Sequence, residues 1–269
     1  MSSKTSPVLA GAPGSCCIKG VQHEGTPVGK VIKIADVETY VSEPPADTTG
    51  PKKIIFYLAD VFGPLSNNAK LLQDYFASHG FYVLGLDYFF GDYLDAHLQD
   101  PDWESKQGAW FDLCIKRAQE PTKKWLKAVR EIYGDAKYCA VGYCFGAPFT
   151  LDLGANVADT NLVATAIAHP AFLTEDHFEK LKKPILLSCA EHDPLFEAPA
   201  RHRAEDILAK NHSSYLVQVF SGVEHGFATR GDVSVEHIRW AKEESARSII
   251  EWFKRFTEPS SSGAQKSGL

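Results

Sequence analysis

The stretch Cys139-Ala-Val-Gly-Tyr-Cys144-Phe-Gly-Ala-Pro-Phe-Thr150 decides how the rest of the chain is read. An apolar run over residues 138–141 predicts a strand, Gly142-Tyr143-Cys144-Phe145-Gly146 a sharp turn, and the residues that follow a helix. Strand, glycine-flanked turn and helix in this order make a nucleophile elbow, here with cysteine where serine is usual. In so tight a turn the side chains two before and two after the central residue would collide, so both positions need glycine. Cys144 then stands at a helix N-terminus, where unpaired N–H groups and the helix dipole favour a thiolate and, later, an oxyanion. The bland alternative is a glycine-rich strand-to-helix turn that carries an incidental cysteine.

Outward from the elbow, the pattern alternates strand and helix. Residues 28–41 alternate apolar and polar like an antiparallel hairpin at a sheet edge, and residues 44–53 form a loop. The run over 54–58 is apolar throughout, as in a strand covered on both faces. A helix over 67–78 and a strand over 81–86 follow. Residues 89–120 are irregular and rich in aromatics and aspartate, which suits an active-site wall. Pro121 suits the first turn of a helix over 121–133, with Trp125, Leu126, Val129 and Ile132 on one face. Strands are predicted over 162–168, 185–189 and 215–220, with helices over 200–210 and 235–256. The expected fold is therefore α/β, a mostly parallel central sheet flanked by helices on both faces. One domain spans 28–256, after a flexible N-terminal segment over 1–27 and before a disordered tail over 257–269.

Composition removes several function classes. The chain has 269 residues, 44% hydrophobic and 23% charged, with a formal net charge of −6. That balance gives no basic footprint for nucleic acid or anionic lipid. No run of about 18 apolar residues suggests a membrane span, and the first residues lack the apolar core of a signal peptide. The chain ends Lys266-Ser-Gly-Leu269, only loosely like a peroxisomal address, so a cytoplasmic protein is expected. Among six cysteines, Cys139 and Cys189 lie in strand-like runs as small buried hydrophobes. Without a secretion signal, free thiols are expected rather than disulfides. No Cys-x-x-Cys or paired-histidine spacing suggests zinc, so no metal is expected. The Cys16-Cys17 pair could be redox active, although an unconstrained terminus explains it more simply. Arg230-Gly-Asp232 reads as a coincidence or a helix cap, and Lys180, Lys182 and Lys183 as a solvated helix end.

The acid and the base of an elbow nucleophile follow it in that order, each just after a later strand. Asp193 stands in the turn Glu191-His-Asp-Pro194 after the strand at 185–189, with Glu191 as the fallback acid. Asp-Pro is also an ordinary turn former. His225 alone among ten histidines follows the last strand and precedes the last helix. His192, His169 and His202 are weaker candidates.

Cys144 within Gly-Tyr-Cys-Phe-Gly, Asp193 within Glu-His-Asp-Pro and His225 within His-Gly-Phe-Ala together resemble the dienelactone hydrolase family, its fungal members most closely. The likeness runs over about residues 30–256. It implies an α/β-hydrolase fold, monomeric or weakly dimeric, with no cofactor and a small lactone or ester as substrate. It further implies that Cys144 attacks the carbonyl, His225 moves the proton, Asp193 orients His225, and water hydrolyses the acyl-thioester. The family's oxyanion hole maps to the backbone N–H groups of Phe145 and Val61. Asp60 stands where the family carries a glutamate that meets the resting thiol, and would gate it with less reach. Of two arginines that hold a substrate carboxylate in the family, one falls in Tyr88-Phe-Phe-Gly91, which has none. The other falls near Thr229, beside Arg230. With Arg230 as the remaining clamp, Tyr88, Phe89, Phe90 and Trp110 point to a more apolar or aromatic substrate.

Rival readings keep the same fold. They are a non-catalytic small-molecule binder, a thiol redox sensor built on Cys144, and an acyltransferase or cyclase working through the same thioester.

Overall fold

The computed structural model describes residues 6–156 and 161–258. In chain order its elements are β1 (Val8–Ala10), β2 (Lys30–Ile34), β3 (Val37–Ser42), β4 (Lys53–Leu58), α1 (Asn67–Ser78), β5 (Tyr82–Leu86), α2 (Trp103–Tyr133) and β6 (Lys137–Tyr143). They continue with α3 (Ala147–Ala155), β7 (Leu162–Ala168), β8 (Leu173–Thr174), α4 (Glu175–Lys180) and β9 (Ile185–His192). The last are α5 (Ala198–Lys210), β10 (Tyr215–Glu224), α6 (Phe227–Arg230) and α7 (Glu236–Thr257).

Eight strands form the central sheet in the order β10-β9-β7-β6-β4-β5-β3-β2. From β5 to β10 all neighbours are parallel, and only the β2–β3–β5 edge is antiparallel. Its hairpin turns at Ala35 and Asp36, both in the left-handed region with φ of 48° and 65°. This is the primed turn that matches strand twist. The sequence reading of an α/β fold with a mostly parallel sheet therefore holds.

Period-two alternation sends each strand into two cores. Ile55 and Tyr57 pack with Phe76 of α1 and Phe253 of α7 on one face. Ile54, Phe56 and Leu58 pack with Trp110 and Trp125 of α2 on the other. A third cluster lies beneath α3 and α5, with Leu151, Ile167, Leu187 and Leu208 at its centre. The contiguous apolar runs of β4 and β6 follow directly from this double cover.

Two expectations are corrected. Helix α2 starts at Trp103, not at Pro121, and Pro121 lies inside it. An interior proline costs roughly 3 kcal/mol. Here the helix buries Trp110, Phe111, Cys114 and Ala118 before the proline and Trp125 and Val129 after it. Each large apolar side chain contributes about 1.5–3 kcal/mol, so packing on both sides outweighs the lost bond. The supposed irregular wall over 89–120 is thus half helix.

The N-terminal segment also differs from expectation. From residue 6 it is fixed to the body rather than loose. Strand β1 pairs with β8, and Gly11 donates to the Leu195 carbonyl and accepts from Phe172 N–H, each at 2.8 Å. Further on, His23 N–H donates to Asn68 Oδ1 at 2.7 Å, and Asn68 Nδ2 donates to the Val21 carbonyl at 2.8 Å. The segment supplies backbone groups that pair across the ends of the strands, a pattern invisible in its polar composition. Of the disordered tail expected over 257–269, Thr257 instead closes helix α7, and residues 259–269 lie outside the described residues. Among the described residues no helix is long and apolar enough to cross a membrane.

The elbow glycines yield a stability test. A Cβ on Gly146 would lie 2.1 Å from the Leu58 carbonyl oxygen, and one on Gly142 would lie 2.5 Å from the Gly146 carbonyl oxygen. Backbone cannot yield as a side chain does, so Gly146→Ala should lose at least about 2–3 kcal/mol or fail to fold. Gly108 sits in α2 with nothing within 4 Å of its added Cβ. Gly108→Ala should gain roughly 0.5–1 kcal/mol. Urea unfolding of both variants checks the contrast, and similar losses in the two would refute the steric account.

Candidate active site

Three parallel strands, β6, β9 and β10, with β7 between the first two, are each followed by a chemically active residue. Cys144 follows β6, Asp193 follows β9 and His225 follows β10. The register of β9 and β10 pairs Glu224 with His192, so the next residue on each strand, His225 and Asp193, emerge side by side. His225 Nδ1 lies 2.9 and 3.0 Å from the two Asp193 carboxylate oxygens. Asp193 Oδ1 also accepts from Leu195 N–H at 3.0 Å, which fixes the carboxylate in its turn. Both side chains are almost wholly buried.

Cys144 is fully buried and holds φ at +48°, a left-handed conformation that costs a non-glycine residue about 1–2 kcal/mol. Its carbonyl accepts from Ala147 N–H and from Ala171 N–H. The Sγ atom of Cys144, a ring nitrogen of His225 and the Sγ atom of Cys17 all lie within 4.8 Å of one another. His225 Nε2 is buried and makes no hydrogen bond.

Burial alone would push the His225 imidazolium down. The Asp193 hydrogen bond and charge outweigh it, with the Cys17 sulfur adding to the effect, and His225 is pushed up to about 10. Against its ring, 5.0 Å away, sits the His169 ring. Burial holds His169 well below its ordinary value, and the His225 charge adds to this, so it stays neutral.

Cys17 was read as part of an unconstrained terminus, yet it is fully buried. Its Sγ lies 3.7 Å from Cys144 Sγ and 3.9 Å from Cys16 Sγ. The contact with Cys144 pushes the Cys17 thiol up, and burial adds to it. His169 was a weak candidate that the structure brings to the site. Its position directly after β7 was the available signal, the same one that marked Cys144, Asp193 and His225. For Cys17 nothing in the sequence pointed to the site.

Asp60 is placed otherwise than predicted. Among the described residues its hydrogen bonds come from Arg230 Nη1, from Thr229 Oγ1 at 2.9 Å and from Phe62 N–H at 3.0 Å, and none comes from Cys144. A buried carboxylate needs strong donors, and a guanidinium is far stronger than a thiol. The same pair corrects Arg230. The expected carboxylate clamp is already engaged by Asp60, donates from Nε to the Lys19 carbonyl at 3.2 Å and stacks over the Phe62 ring at 4.8 Å.

Tyr88 and Trp110, expected at the substrate, lie in the core. The Tyr88 hydroxyl donates to the Ala59 carbonyl, which lets the whole side chain be buried. Trp110 stacks on Phe89 with centroids 5.9 Å apart. Phe90 is 42% exposed and lies against the Arg117 guanidinium at 5.6 Å. Val61, predicted for the oxyanion hole, is buried just beyond β4, and its carbonyl accepts from Leu94 N–H. Phe145 is buried in the turn after Cys144. Glu191, the fallback acid, instead accepts from Ser221 Oγ at 3.0 Å and Gly222 N–H at 2.7 Å. His192 is exposed beside it, and His202 is exposed on α5.

A cavity of about 400 Å³ reaches His225 and Asp193 past Cys16, Lys19, Glu191, Glu197 and Glu224. A larger groove of about 1200 Å³ runs between α2 and α3 and includes none of the three strand-end residues. A thiol, an imidazole with one free nitrogen and a carboxylate behind its other nitrogen form a set able to carry out acyl transfer.

The sequence profile of the Dienelactone hydrolase family matches residues 37–257. "Dienlactone hydrolase 1" of Gibberella moniliformis is 36% identical over 260 residues, which cover 94% of this chain and 97% of that protein. "Dienlactone hydrolase 2" of the same organism is 34% identical over 258 residues, covering 93% and 98%. The crystal structure of dienelactone hydrolase from Anabaena variabilis superposes with a TM-score of 0.62 at 14% identity, covering 87% of this chain and all of that one. The last likeness concerns the fold alone, but the profile and the relatives cover nearly the whole chain, and the chain therefore belongs to the dienelactone hydrolase family.

Proposed function

We propose that the protein is a cysteine-dependent hydrolase that opens a small, uncharged lactone or ester through an acyl-thioester. One observation carries the reading. His225 is held by Asp193 through Nδ1, its Nε2 is buried and without a hydrogen bond, and its ring stands within 4.8 Å of the Cys144 sulfur. Cys144 attacks the carbonyl carbon as a thiolate, and the N–H groups of Phe145 and Val61 receive the oxyanion. The ring or ester C–O bond breaks as His225 gives its Nε2 proton to the leaving alkoxide. Water then attacks the thioester with His225 as base, releasing the acid and the thiol. Raised proton affinity at His225 suits the first half, because the imidazolium holds the proton that the alkoxide needs. Substrate must also move the segment that carries Cys17, since Cys144 is wholly covered.

The choice of an uncharged substrate rests on the cavity. Glu191, Glu197 and Glu224 line its mouth with Lys19 and His192; Lys19 pairs with Glu224 at 3.4 Å, and the His225 charge deeper in is matched by Asp193. With Arg230 committed to Asp60, the mouth repels a carboxylate.

Three measurements follow from this mechanism. Cys144→Ala should fold and lose turnover of aryl esters and simple lactones. His225→Gln should lower kcat by several orders of magnitude, and Asp193→Asn by less. Near wild-type kcat in Cys144→Ala would refute the mechanism, and a larger loss in Glu191→Gln than in Asp193→Asn would move the acid role.

Between matched esters that differ only by a carboxylate, the neutral one should show the lower KM, and the gap should narrow as salt rises. A lower KM for the acidic ester would restore a carboxylate clamp.

The His225–Asp193 pairing also predicts a pH dependence. His225 holds its proton more tightly when folded than its ordinary 6.5. Its contribution to stability is therefore complete below about pH 6.5 and is lost as pH rises toward 10. Denaturant midpoints across that window should fall more steeply for wild type than for His225→Gln, and parallel curves would show that the pairing adds nothing.

A further inference from the structure

Hydrolysis needs Cys144 and His225, but it gives no reason for a second thiol in contact with the first. Cys17 arrives from the N-terminal segment, Cys144 from the end of β6 and His225 from the end of β10. We propose that these three side chains form a binding site for a soft divalent cation, zinc above all.

Spacing is the first argument. Two thiolates bound to one zinc at about 2.3 Å in tetrahedral geometry stand roughly 3.8 Å apart. The Sγ atoms of Cys17 and Cys144 are 3.7 Å apart, and a His225 ring nitrogen lies within 4.8 Å of both. The second argument is the unsatisfied nitrogen. Buried polar atoms in proteins are nearly always hydrogen-bonded, whereas Nε2 of the 4%-exposed His225 makes no hydrogen bond, and Nδ1 already belongs to Asp193. The third is what stands behind the ligands. Metal-bound histidines almost always donate their other nitrogen to a carboxylate or carbonyl, and His225 Nδ1 is paired with Asp193.

The donor set selects the ion. Two sulfurs and one imidazole nitrogen suit zinc and other soft or borderline cations, whereas magnesium and calcium need oxygen. Asp60, the other buried carboxylate nearby, is taken by Arg230 and Thr229. Three protein ligands leave a fourth position, and the cavity beside Cys16 and His225 gives solvent a path to it. Binding displaces to solvent one proton from each thiol and the proton that the His225 imidazolium carries on its free nitrogen, whose lone pair then ligates the cation. No electron is transferred.

A cation held there would occupy the sulfur and the nitrogen that hydrolysis uses, and would pin the N-terminal segment over them. Only this inhibitory consequence rests on the proposed hydrolytic reading; the binding itself does not.

Cobalt(II) is a suitable probe, because thiolate ligation gives a near-ultraviolet charge-transfer band that surface histidines and carboxylates do not. The full chain, stripped of metal and kept under a non-thiol reductant to prevent disulfide formation, would be titrated with cobalt and then with zinc. Wild type should saturate at one cobalt per chain, and zinc should abolish the band. Cys17→Ser and Cys144→Ser should each weaken binding by at least about tenfold, while Cys16→Ser should bind as wild type does. Cys17→Ala provides a second test if the serine variant misfolds by circular dichroism. Zinc should also suppress ester hydrolysis by wild type, reversibly with chelator, and spare Cys17→Ser. Absence of a thiolate band in wild type, or equal affinity in folded Cys17→Ser or Cys17→Ala, would overturn the site. A thiolate band in a protein that hydrolyses no ester would uphold the site and count against the hydrolase reading instead.

Discussion

The backbone at Gly146 passes so close to the carbonyls of Leu58 and Ala59 that no side chain fits between them. That contact locks the turn after β6 against the end of β4, and the rest of the site depends on it. With the chain held there, the residue at the apex has only the left-handed conformation left, and Cys144 takes it. Tyr143 and Phe145 on either side are drawn into the two cores, which fixes the turn further. The thiol is left beyond the sheet, at the level where β9 and β10 also end. Strain of about 1–2 kcal/mol at one residue is small beside the burial of its aromatic neighbours.

Two buried pairs of opposite charge complete that end of the sheet, Asp193 with His225 and Asp60 with Arg230. Each would be costly if broken, since a lone buried charge costs about 3–5 kcal/mol. They therefore behave as fixed points of the architecture. Arg230 also ties the N-terminal segment down, through the Lys19 carbonyl and through its own carbonyl, which accepts from Val21 N–H at 2.9 Å. Thus the segment that covers the sulfur is anchored to the residue that neutralises Asp60. A carboxylate predicted to meet the thiol instead secures the strap that shields it.

The parts of the fold legible in the sequence are those governed by local pattern. Apolar runs without alternation gave the buried parallel strands, and the glycine pair around Cys144 gave the elbow. The succession of reactive residues after β6, β9 and β10 pointed to the cluster because strand ends of a parallel sheet converge. What escaped was decided by distant partners. Pro121 reads as a helix start until the aromatic residues before it are known to pack on β4 and β6. Asp60 and Arg230 are 170 positions apart, and neither local sequence reveals the other. Cys17 lies 127 positions from Cys144, in a stretch with no periodicity at all. Its burial comes from main-chain bonds to Asn68, Arg230 and Leu195, contacts that leave no composition signature.

The two proposals place on Cys144 and His225 demands that differ chemically in only one respect. Attack on a carbonyl needs a thiolate at a positive helix terminus and an imidazole whose free nitrogen faces it. Ligation of a soft cation needs the same thiolate and the same nitrogen, with a carboxylate behind the ring in both cases. The difference is the second sulfur. With the N-terminal segment displaced, Cys144 and His225 alone give a cation two ligands, too few for a tight zinc site, and leave the nucleophile open to substrate. With the segment seated, Cys17 would supply the third ligand and close the approach. If both proposals hold, the position of one short strap would set which chemistry the shared sulfur performs. Because its ties run through Arg230, that choice is coupled to the buried ion pair beneath it.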